Sequence, residues 1–394
     1  MSKRCRPATT LVRAGLESDT TYNAVIPPIY LSSNFAFSEF GVKPAYDYTR
    51  SGNPTRDLLG QALADLEGGA GGVITATGMA AITLVLQLLT PSDLVIAPHD
   101  CYGGTYRLLN RLSQRGVTTV EFLNQGEHAI HAQIRSKKPK LLWIETPSNP
   151  LLRIVDIEAL AKTAHEVGAL VVVDNTFLSP LLQQPISLGA DLVVHSTTKY
   201  INGHSDVVGG AVIAKTPALH EQLAFWANCL GITGAPFDSF LALRGLRTLE
   251  ARMQLHLANT EAVVETLLHH GAVRKVYYPG LVDHPGHAIA KKQQSDFGAM
   301  LSFELDGDIE DVKLFISKLK YFSLAESLGG VESLIAHTAS MTHASMEPEA
   351  RQRAGISETL LRLSIGIEDG SDLCSALEDA LDAVLENRVE AAVA

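Results

Sequence analysis

The sequence predicts an α/β protein with a mostly parallel central sheet, helices on both faces of that sheet, an N-terminal arm and a smaller C-terminal α+β domain. Short apolar runs alternate with amphipathic segments from about residue 61 to residue 215, a pattern typical of strand–helix–strand units. Residues 1–60 are rich in Ser, Asn, Pro and Tyr and have little periodicity. The pattern changes again after a long helical stretch. We therefore place the domain boundaries at 1–60, 61–256 and 257–394.

The elements follow from these patterns in chain order. In the large domain, apolar runs predict strands at 72–75, 93–97, 118–122, 140–145, 170–174, 191–195 and 210–214. Amphipathic segments between the strands predict helices that include 79–89, 105–115 and 157–167. A helix at about 256–270 leads into the C-terminal domain, where we predict strands at 299–305 and 360–365 and helices at 311–319 and 371–385.

Composition excludes several classes of protein. The chain has 394 residues, of which 46% are hydrophobic, so it can bury a large core. Its formal charge of −11 argues against nucleic acid or an anionic membrane as a partner. The basic start at residues 3–6 precedes no apolar segment, so we expect no secretory signal. Cys5, Cys101, Cys229 and Cys374 lack Cys-x-x-Cys spacing, which favours free thiols in a soluble cytoplasmic protein.

Lys199 is the most informative residue of the chain. It lies in the run STTKY (196–200), directly after the predicted strand at 191–195. Hydroxyl groups around one lysine suit a lysine that holds an aldehyde cofactor as a Schiff base while its neighbours bind a phosphate. A solvated lysine at a strand end is the alternative interpretation.

A second candidate site is the turn ATGMA (76–80), which follows a predicted strand and opens a helix. Free N–H groups at a helix N-terminus attract anions, and Gly78 allows a phosphate to approach the backbone closely. A tight strand-to-helix turn without a ligand is the alternative. The glycine cluster at 68–72 precedes its strand and lacks the Gly-x-Gly-x-x-Gly spacing, which argues against a nicotinamide enzyme.

Asp174 and Tyr102 both follow apolar strands. Asp174 ends the run VVVD (171–174), 25 residues before Lys199 (199 − 174), so both residues would end neighbouring or near-neighbouring strands at one edge of the sheet. A carboxylate there could keep a pyridine nitrogen protonated, although a helix N-cap is the alternative role. Tyr102, held by a Gly-Gly turn, could stack on a planar cofactor or simply pack in its loop. Cys101 beside it is predicted to be a buried packing residue and not a nucleophile.

Two arginines could bind anions. Arg50 in the arm offers a planar fork for a phosphate, or is solvated. Arg362 lies between leucines on a predicted strand, where it could meet a substrate carboxylate or, by strand alternation, point to solvent. His195, His204 and Asp206 show no paired spacing, so we predict no metal site.

Together these segments resemble the Cys/Met-metabolism family of pyridoxal-phosphate enzymes, of fold type I. The likeness covers nearly the whole chain, and the segment DLVVHSTTKYINGHSD (191–206) is highly specific for the family. The resemblance implies pyridoxal 5′-phosphate as the cofactor, with Lys199 as its Schiff-base lysine, Asp174 as the partner of its pyridine nitrogen and Tyr102 stacked on its ring. It assigns the phosphate to a larger set: Gly78, Met79, Ser196 and Thr198, with Tyr48 and Arg50 reaching in from a neighbouring subunit.

The resemblance also implies an activity. The segments DCYGGTYR (100–107), SLIAH (333–337), MTH (341–343) and GIEDG (366–370) are closest to bacterial members that catalyse γ-replacement. The implied reaction converts O-succinyl-L-homoserine and L-cysteine to L-cystathionine and succinate. The alternative is γ-elimination of cystathionine to cysteine, 2-oxobutanoate and ammonia. A non-catalytic protein with this fold is disfavoured because the set of cofactor residues is complete.

Substrate contacts and assembly are implied in the same way. Arg362, with Asn149 and Ser327, would bind the amino-acid α-carboxylate. Glu326 would recognise the amino group of the incoming cysteine, and Arg107 would meet the succinyl carboxylate. The family also implies a homotetramer, a dimer of dimers with active sites shared across the dimer interface.

Overall fold

The computed structural model describes residues 6–342, 344, 349, 351 and 354–393. Cys5 and His343 lie outside the described residues. The chain forms two compact units. The first unit comprises Met1–Pro98, Gly104–Glu145 and Asp156–Glu250, and the second comprises His99–Gly103, Thr146–Val155 and Ala251–Ala394.

A seven-stranded mixed sheet forms the centre of the first unit, in the spatial order β1-β7-β6-β5-β4-β2-β3. Its strands are β1 (Gly71–Thr75), β2 (Leu94–Pro98), β3 (Thr119–Leu123), β4 (Leu141–Glu145), β5 (Leu170–Asp174), β6 (Leu192–Ser196) and β7 (Gly210–Ala214). Strand β7 runs antiparallel to both of its neighbours, and the other pairs are parallel. The predicted α/β class is confirmed, and all seven predicted strands are present to within one residue at each end.

Side-chain caps satisfy free backbone donors at the start of several helices of the first unit. The helices of this part of the chain are α1 (Pro7–Arg13), α2 (Pro54–Glu67), α3 (Gly78–Leu86), α4 (Gly103–Gln114), α5 (Ala129–Lys137), α6 (Ile157–Glu166), α7 (Ser179–Leu182), α8 (Pro217–Leu230) and α9 (Pro236–Leu246), with a 3₁₀ helix at Pro185–Leu188. Asn53 caps α2 by accepting N–H groups through its side chain, and Gly68 ends that helix with φ 78°. Helices α1 and α2 therefore start within the segment that the sequence left irregular.

The core of the first unit lies between the sheet and helices such as α3 and α8. Leu84, Val172, Val194 and Leu223 belong to one cluster of buried apolar side chains. Strands β4 and β7 are buried along their whole length, as expected for strands covered on both faces. This packing fixes the positions at which β5 and β6 end.

The second unit contains a five-stranded sheet in the order β10-β11-β12-β9-β8. Its strands are β8 (Val273–Tyr277), β9 (Met300–Leu305), β10 (Ser323–Leu324), β11 (Leu334–His337) and β12 (Leu360–Ser364). The helices of this region include α10 (Leu249–Leu268), α11 (His287–Gln293), α12 (Ile309–Lys318) and α13 (Gly370–Val393). Helix α10 begins at Leu249, so the predicted start at residue 256 is wrong. His256 is fully buried within that helix. Because histidine is a polar residue, it interrupts the apolar pattern by which the buried face of a helix is recognised in a sequence.

Strand β8 was not predicted, because its sequence VRKVY does not alternate regularly between apolar and polar residues. It lies at the edge of its sheet, where charged side chains such as Arg274 and Lys275 face water.

Cys101 is buried, Cys229 is exposed and Cys374 is half-buried, and among the described residues none of these three forms a disulfide. Within the described ranges, no helix combines the length and hydropathy that a membrane span requires.

Candidate active site

The carboxyl ends of β5 and β6 bring two predicted residues to one edge of the sheet. The two strands pair in parallel, with Asp174 opposite Val194. Strand β6 ends at Ser196, and the chain then turns, with Lys199 N donating to Ser196 O at 3.3 Å. The prediction that Asp174 and Lys199 follow neighbouring strands at the same edge is confirmed, and Lys199 is half-buried there.

Thr176 links the carboxylate of Asp174 to the backbone of Ser196. Its hydroxyl donates to Asp174 Oδ1 at 2.6 Å and accepts the N–H of Ser196 at 2.9 Å, while its own N–H donates to Oδ1 at 3.1 Å. Both bonds from Thr176 to Asp174 end on Oδ1, and among the described residues no hydrogen bond to Oδ2 competes with a ligand. The N-cap alternative for Asp174 is wrong, because α7 begins after Leu178.

The electrostatics of Asp174 follow from its position. Burial raises the pKa of its carboxyl above the ordinary value, while the bonds from Thr176 and the charge of His195 act in the opposite direction. Sequence reasoning missed the role of Thr176. The Asp-x-Thr spacing was the available signal, since an aspartate commonly accepts the N–H of the second residue after it.

The start of α3 presents two backbone donors without intrahelical partners. Thr77 is the N-cap, and its side chain accepts Ala80 N at 2.9 Å. Among the described residues, no hydrogen bond uses the N–H of Gly78 or Met79. A Cβ at Gly78 would lie 3.0 Å from Ser196 Cβ and 3.1 Å from its Oγ. Two free donors and one hydroxyl therefore converge at the positive end of a helix, which suits a phosphate.

Thr198 contacts the loop that returns to β7. Its Oγ1 accepts the N–H of Gly209 at 3.0 Å and lies 3.3 Å from the Gly209 carbonyl oxygen. This hydroxyl therefore also holds the turn that carries Lys199. Its contact with a phosphate stays a prediction.

Tyr48 and Arg50 lie together in the arm. The Arg50 guanidinium carbon is 5.6 Å from the centre of the Tyr48 ring. Both residues line a cleft of about 400 Å³, together with Arg56 and Ala76. Tyr48 is 49% exposed, so its ring is accessible to a second chain. Their reach to a neighbouring subunit's phosphate stays a prediction.

In the second unit, Arg362 is buried at the middle of β12. Its Nη1 donates to Asn149 Oδ1 at 3.1 Å and its Nη2 donates to Ser327 O at 2.7 Å. The residue is 4% exposed, so the alternative that it points to solvent is wrong. The three residues predicted to bind one carboxylate are thus in direct contact, and two neutral oxygen atoms orient the guanidinium fork.

The remaining predicted residues are more exposed. Tyr102 is 46% exposed and lies in the second unit, immediately before α4. Arg107 is exposed on α4, and Glu326 is exposed in the loop after β10. The roles of all three stay predictions. Across the residues that the structure describes, no three His, Cys, Asp or Glu side chains form a group able to hold a metal ion.

Comparison with known proteins identifies the family. The model of the Cys/Met metabolism PLP-dependent enzymes matches residues 8–382. The chain belongs to this family. Pyridoxal phosphate is therefore its cofactor, and the free donors at Gly78 and Met79, the Ser196 hydroxyl and the Oδ2 atom of Asp174 fit its phosphate and its pyridine nitrogen.

Relatives within the family include enzymes with different reactions. The cystathionine gamma-synthase of Escherichia coli is 58% identical over 380 residues, which cover 96% of this chain and 98% of that protein. The structure of cystathionine gamma synthase from Xanthomonas oryzae, in complex with aminoacrylate and cysteine, is 60% identical with a TM-score of 0.96, covering 97% of this chain and 99% of that one. The cystathionine gamma-lyase of Dictyostelium discoideum is 45% identical, covering 95% and 97% of the two chains.

The contact between Gly78 and Ser196 leads to a first prediction. Gly78→Ala should weaken cofactor binding by about tenfold, because the added Cβ pushes on the Ser196 side chain and narrows the space for a phosphate. Gly271→Ala is the control, since its Cβ would meet nothing closer than 3.9 Å. Titration of both apo-proteins with pyridoxal phosphate, followed by absorbance, measures the difference. Equal affinities would show that the phosphate lies elsewhere.

Burial of Asp174 leads to a second prediction, for the apo-protein. Because the folded-state pKa of Asp174 is raised, its contribution to stability is greatest below the unfolded pKa and is lost as the pH rises through the folded pKa. Asp174→Asn should therefore raise the apo melting temperature at neutral pH by about 2–4 °C, and the gain should shrink in acid. Asp369→Asn should lower the melting temperature at neutral pH, and this loss should shrink in acid, since hydrogen bonds from Ser371 lower the pKa of Asp369. Thermal unfolding of each variant at several pH values tests the sign.

Proposed function

We propose that this chain catalyses a γ-replacement in which L-cysteine displaces succinate from O-succinyl-L-homoserine to form L-cystathionine, the reaction of a cystathionine γ-synthase. The observation that carries the proposal is the 58% identity to the Escherichia coli gamma-synthase along almost the full length of both proteins. The residues predicted for cofactor and substrate support it.

When bound, the cofactor supplies an electron sink that acidifies the Cα–H and Cβ–H bonds of the substrate. The chain's own residues direct this chemistry. Lys199 would hold the cofactor covalently and, once released by the substrate, its amine would take the Cα proton and later return one. Asp174 would accept the pyridine N–H through Oδ2. Its other oxygen is already fixed by Thr176.

Arg362 would bind the α-carboxylate of the homoserine ester. Its fork is oriented by Asn149 and Ser327, so a carboxylate could accept two parallel N–H bonds. This contact would hold the amino-acid end of the substrate. Tyr102 would stack on the cofactor ring, Glu326 would meet the incoming amino group and Arg107 would select the succinyl group.

A homotetramer is part of the proposal, with Tyr48 and Arg50 completing the site of a neighbouring subunit and the enzyme working in the cytoplasm. Exposed apolar side chains of the arm support an assembly: Tyr22 is 86% exposed, Leu31 is 69% exposed and Phe37 is 53% exposed. Apolar surface of this extent in one segment usually marks a protein interface.

We also propose that residues 1–60 act as the arm, residues 61–256 as the cofactor domain and residues 257–394 as the C-terminal domain.

A γ-lyase activity is the second candidate, because relatives such as the Dictyostelium gamma-lyase match almost the entire chain. Two parallel assays separate the candidates. Cystathionine formation is measured with O-succinyl-L-homoserine and cysteine, and 2-oxobutanoate release is measured with cystathionine alone. The proposal requires the first rate to exceed the second. Rapid 2-oxobutanoate release with no cystathionine synthesis would establish the lyase instead.

A further inference from the structure

Asp100 connects two segments of the second unit that carry predicted site residues. It lies two residues before Tyr102, which is proposed to stack on the cofactor ring. Its Oδ2 atom accepts the Ser148 hydroxyl at 2.7 Å and Arg153 Nη1 at 2.9 Å. Ser148 directly precedes Asn149, whose side chain orients the arginine proposed to bind the substrate. One carboxylate oxygen therefore joins the segment of the stacking tyrosine to a segment that supports substrate binding.

The segment 148–153 forms a closed loop, and both of its ends reach the same carboxylate. Ser148 N donates to Arg153 O at 3.0 Å, which brings the two ends together. The Arg153 guanidinium also donates from Nη2 to Ala354 O at 2.7 Å, so it is held between two acceptors. The donors that meet Asp100 are therefore held in place by bonds of their own.

The same loop is attached to the five-stranded sheet at the level of Arg362. Arg362 on β12 lies opposite Ser302 on β9, and side chains that lie opposite each other in a sheet share one face. Arg362 Nη1 donates to Asn149 Oδ1 at 3.1 Å, and Ser302 Oγ donates to Pro150 O at 2.7 Å. A shift of this loop would therefore move both a partner of the guanidinium and the support of Asp100.

The residues before Tyr102 are more deeply buried than Tyr102 itself. The Asp100 side chain is 10% exposed and Cys101 is buried, whereas nearly half of Tyr102 is exposed. A carboxylate with so little solvent contact is costly unless donors meet it, and here a guanidinium and a hydroxyl do so. His99 Nδ1 lies 3.5 Å from the other oxygen, Oδ1. Asp100 therefore fixes the backbone from which the exposed ring projects.

We propose that Asp100 is a positioning residue that sets the Tyr102 ring for stacking on the cofactor. Residues on a loop need such a support to keep the geometry that binding requires. The bonds of Asp100 also hold the loop that orients Arg362, so cofactor stacking and substrate binding depend on one carboxylate. This inference rests on the proposed cofactor role of Tyr102. Asp100 itself is not expected to touch the cofactor or the substrate.

A double-mutant cycle tests the proposal. Asp100→Ala should weaken the binding of pyridoxal phosphate to the apo-protein about fivefold, change the visible absorbance of the bound cofactor and raise the KM for O-succinyl-L-homoserine about fivefold. In the Tyr102→Ala background, the same substitution should change neither the affinity nor the absorbance, because the ring that Asp100 positions is absent. Asp100→Asn keeps the shape and one acceptor oxygen, so it should recover part of the affinity.

Asp311→Ala is the matched control. Asp311 pairs with Arg388 of the same unit at 2.9 Å, and the two side chains are about as exposed as those of Asp100 and Arg153. Loss of either pair should lower the melting temperature, but Asp311→Ala should keep the cofactor affinity and absorbance of the wild type. Equal losses of affinity in Asp311→Ala and Asp100→Ala would show a general effect of stability and overturn the proposal.

The other outcomes are also decisive. Wild-type affinity and absorbance in Asp100→Ala, or an undiminished effect of that substitution in the Tyr102→Ala background, would overturn the proposal. So would a Tyr102→Ala variant that binds the cofactor as the wild type does. If Asp100→Ala fails to fold, Arg153→Met breaks the ion pair from the other side and must weaken cofactor binding with the same dependence on Tyr102. The titration contains no substrate, so a wild type that forms no cystathionine would refute the proposed function and leave the test of Asp100 intact.

Discussion

Lys199→Ala is expected to abolish turnover and to leave pyridoxal phosphate bound without a covalent link. The substitution removes both the amine that holds the cofactor and the base that moves the Cα proton. General acid–base catalysis alone is commonly worth about 10²–10⁴-fold, so the combined loss should reach about 10⁴-fold or more. Initial rates of cystathionine formation, with borohydride reduction and mapping of the labelled peptide, measure both effects.

Lys215→Ala is the matched control for this experiment. Lys215 also follows a strand directly, after β7, but its side chain is exposed. This variant should retain the rate of the wild type and the covalent cofactor. Near-normal activity in Lys199→Ala, or borohydride labelling of another peptide, would refute the assignment of Lys199.

Arg362→Leu is expected to lower kcat/KM for O-succinyl-L-homoserine by on the order of 10²–10³-fold, because a buried substrate carboxylate would lose its charged partner. Leucine fills much of the same space with apolar atoms, so the strand should still fold. The absorbance of the bound cofactor should remain that of the wild type, since Arg362 is assigned to the substrate. Steady-state kinetics and a cofactor spectrum on one preparation test both statements.

Two further variants sharpen the Arg362 experiment. Arg362→Lys should recover only part of the loss, because an ammonium cannot make the two parallel bonds of a guanidinium. Arg274→Leu is the control, since Arg274 also lies on a strand of the second unit but is exposed and paired with Asp306 at 3.0 Å. An unchanged KM in Arg362→Leu would place the α-carboxylate elsewhere.

Local patterns in the sequence predicted much of the central sheet and of the cofactor residues. The strands are short apolar runs, and the residues that follow them must lie at strand ends, whatever the rest of the chain does. Asp174 and Lys199 could therefore be assigned to one edge of the sheet from the sequence alone. The turn at Gly78 is equally local, since a strand, a glycine and a helix start are contiguous there.

The periodicity of apolar residues in the sequence was not enough to predict other features of the structure. Alternation on β12 allowed Arg362 to point either way, and only packing of its sheet buried it against Asn149, 213 residues away. The edge strand β8 was missed because its solvent-facing charges hide the apolar face. Helix α10 was shortened because a buried histidine interrupts its pattern.

By itself, the sequence determined the α/β class, the positions of the central strands and the residues at their carboxyl ends, because hydrogen bonding and side-chain alternation act over a few neighbouring residues. Only the tertiary structure decided that Thr176 bridges Asp174 to Ser196 and that Glu67 meets His195 across 128 residues of chain. Such contacts depend on how helices pack on the sheet. A short sequence motif does not indicate which distant side chain will be buried in contact with it.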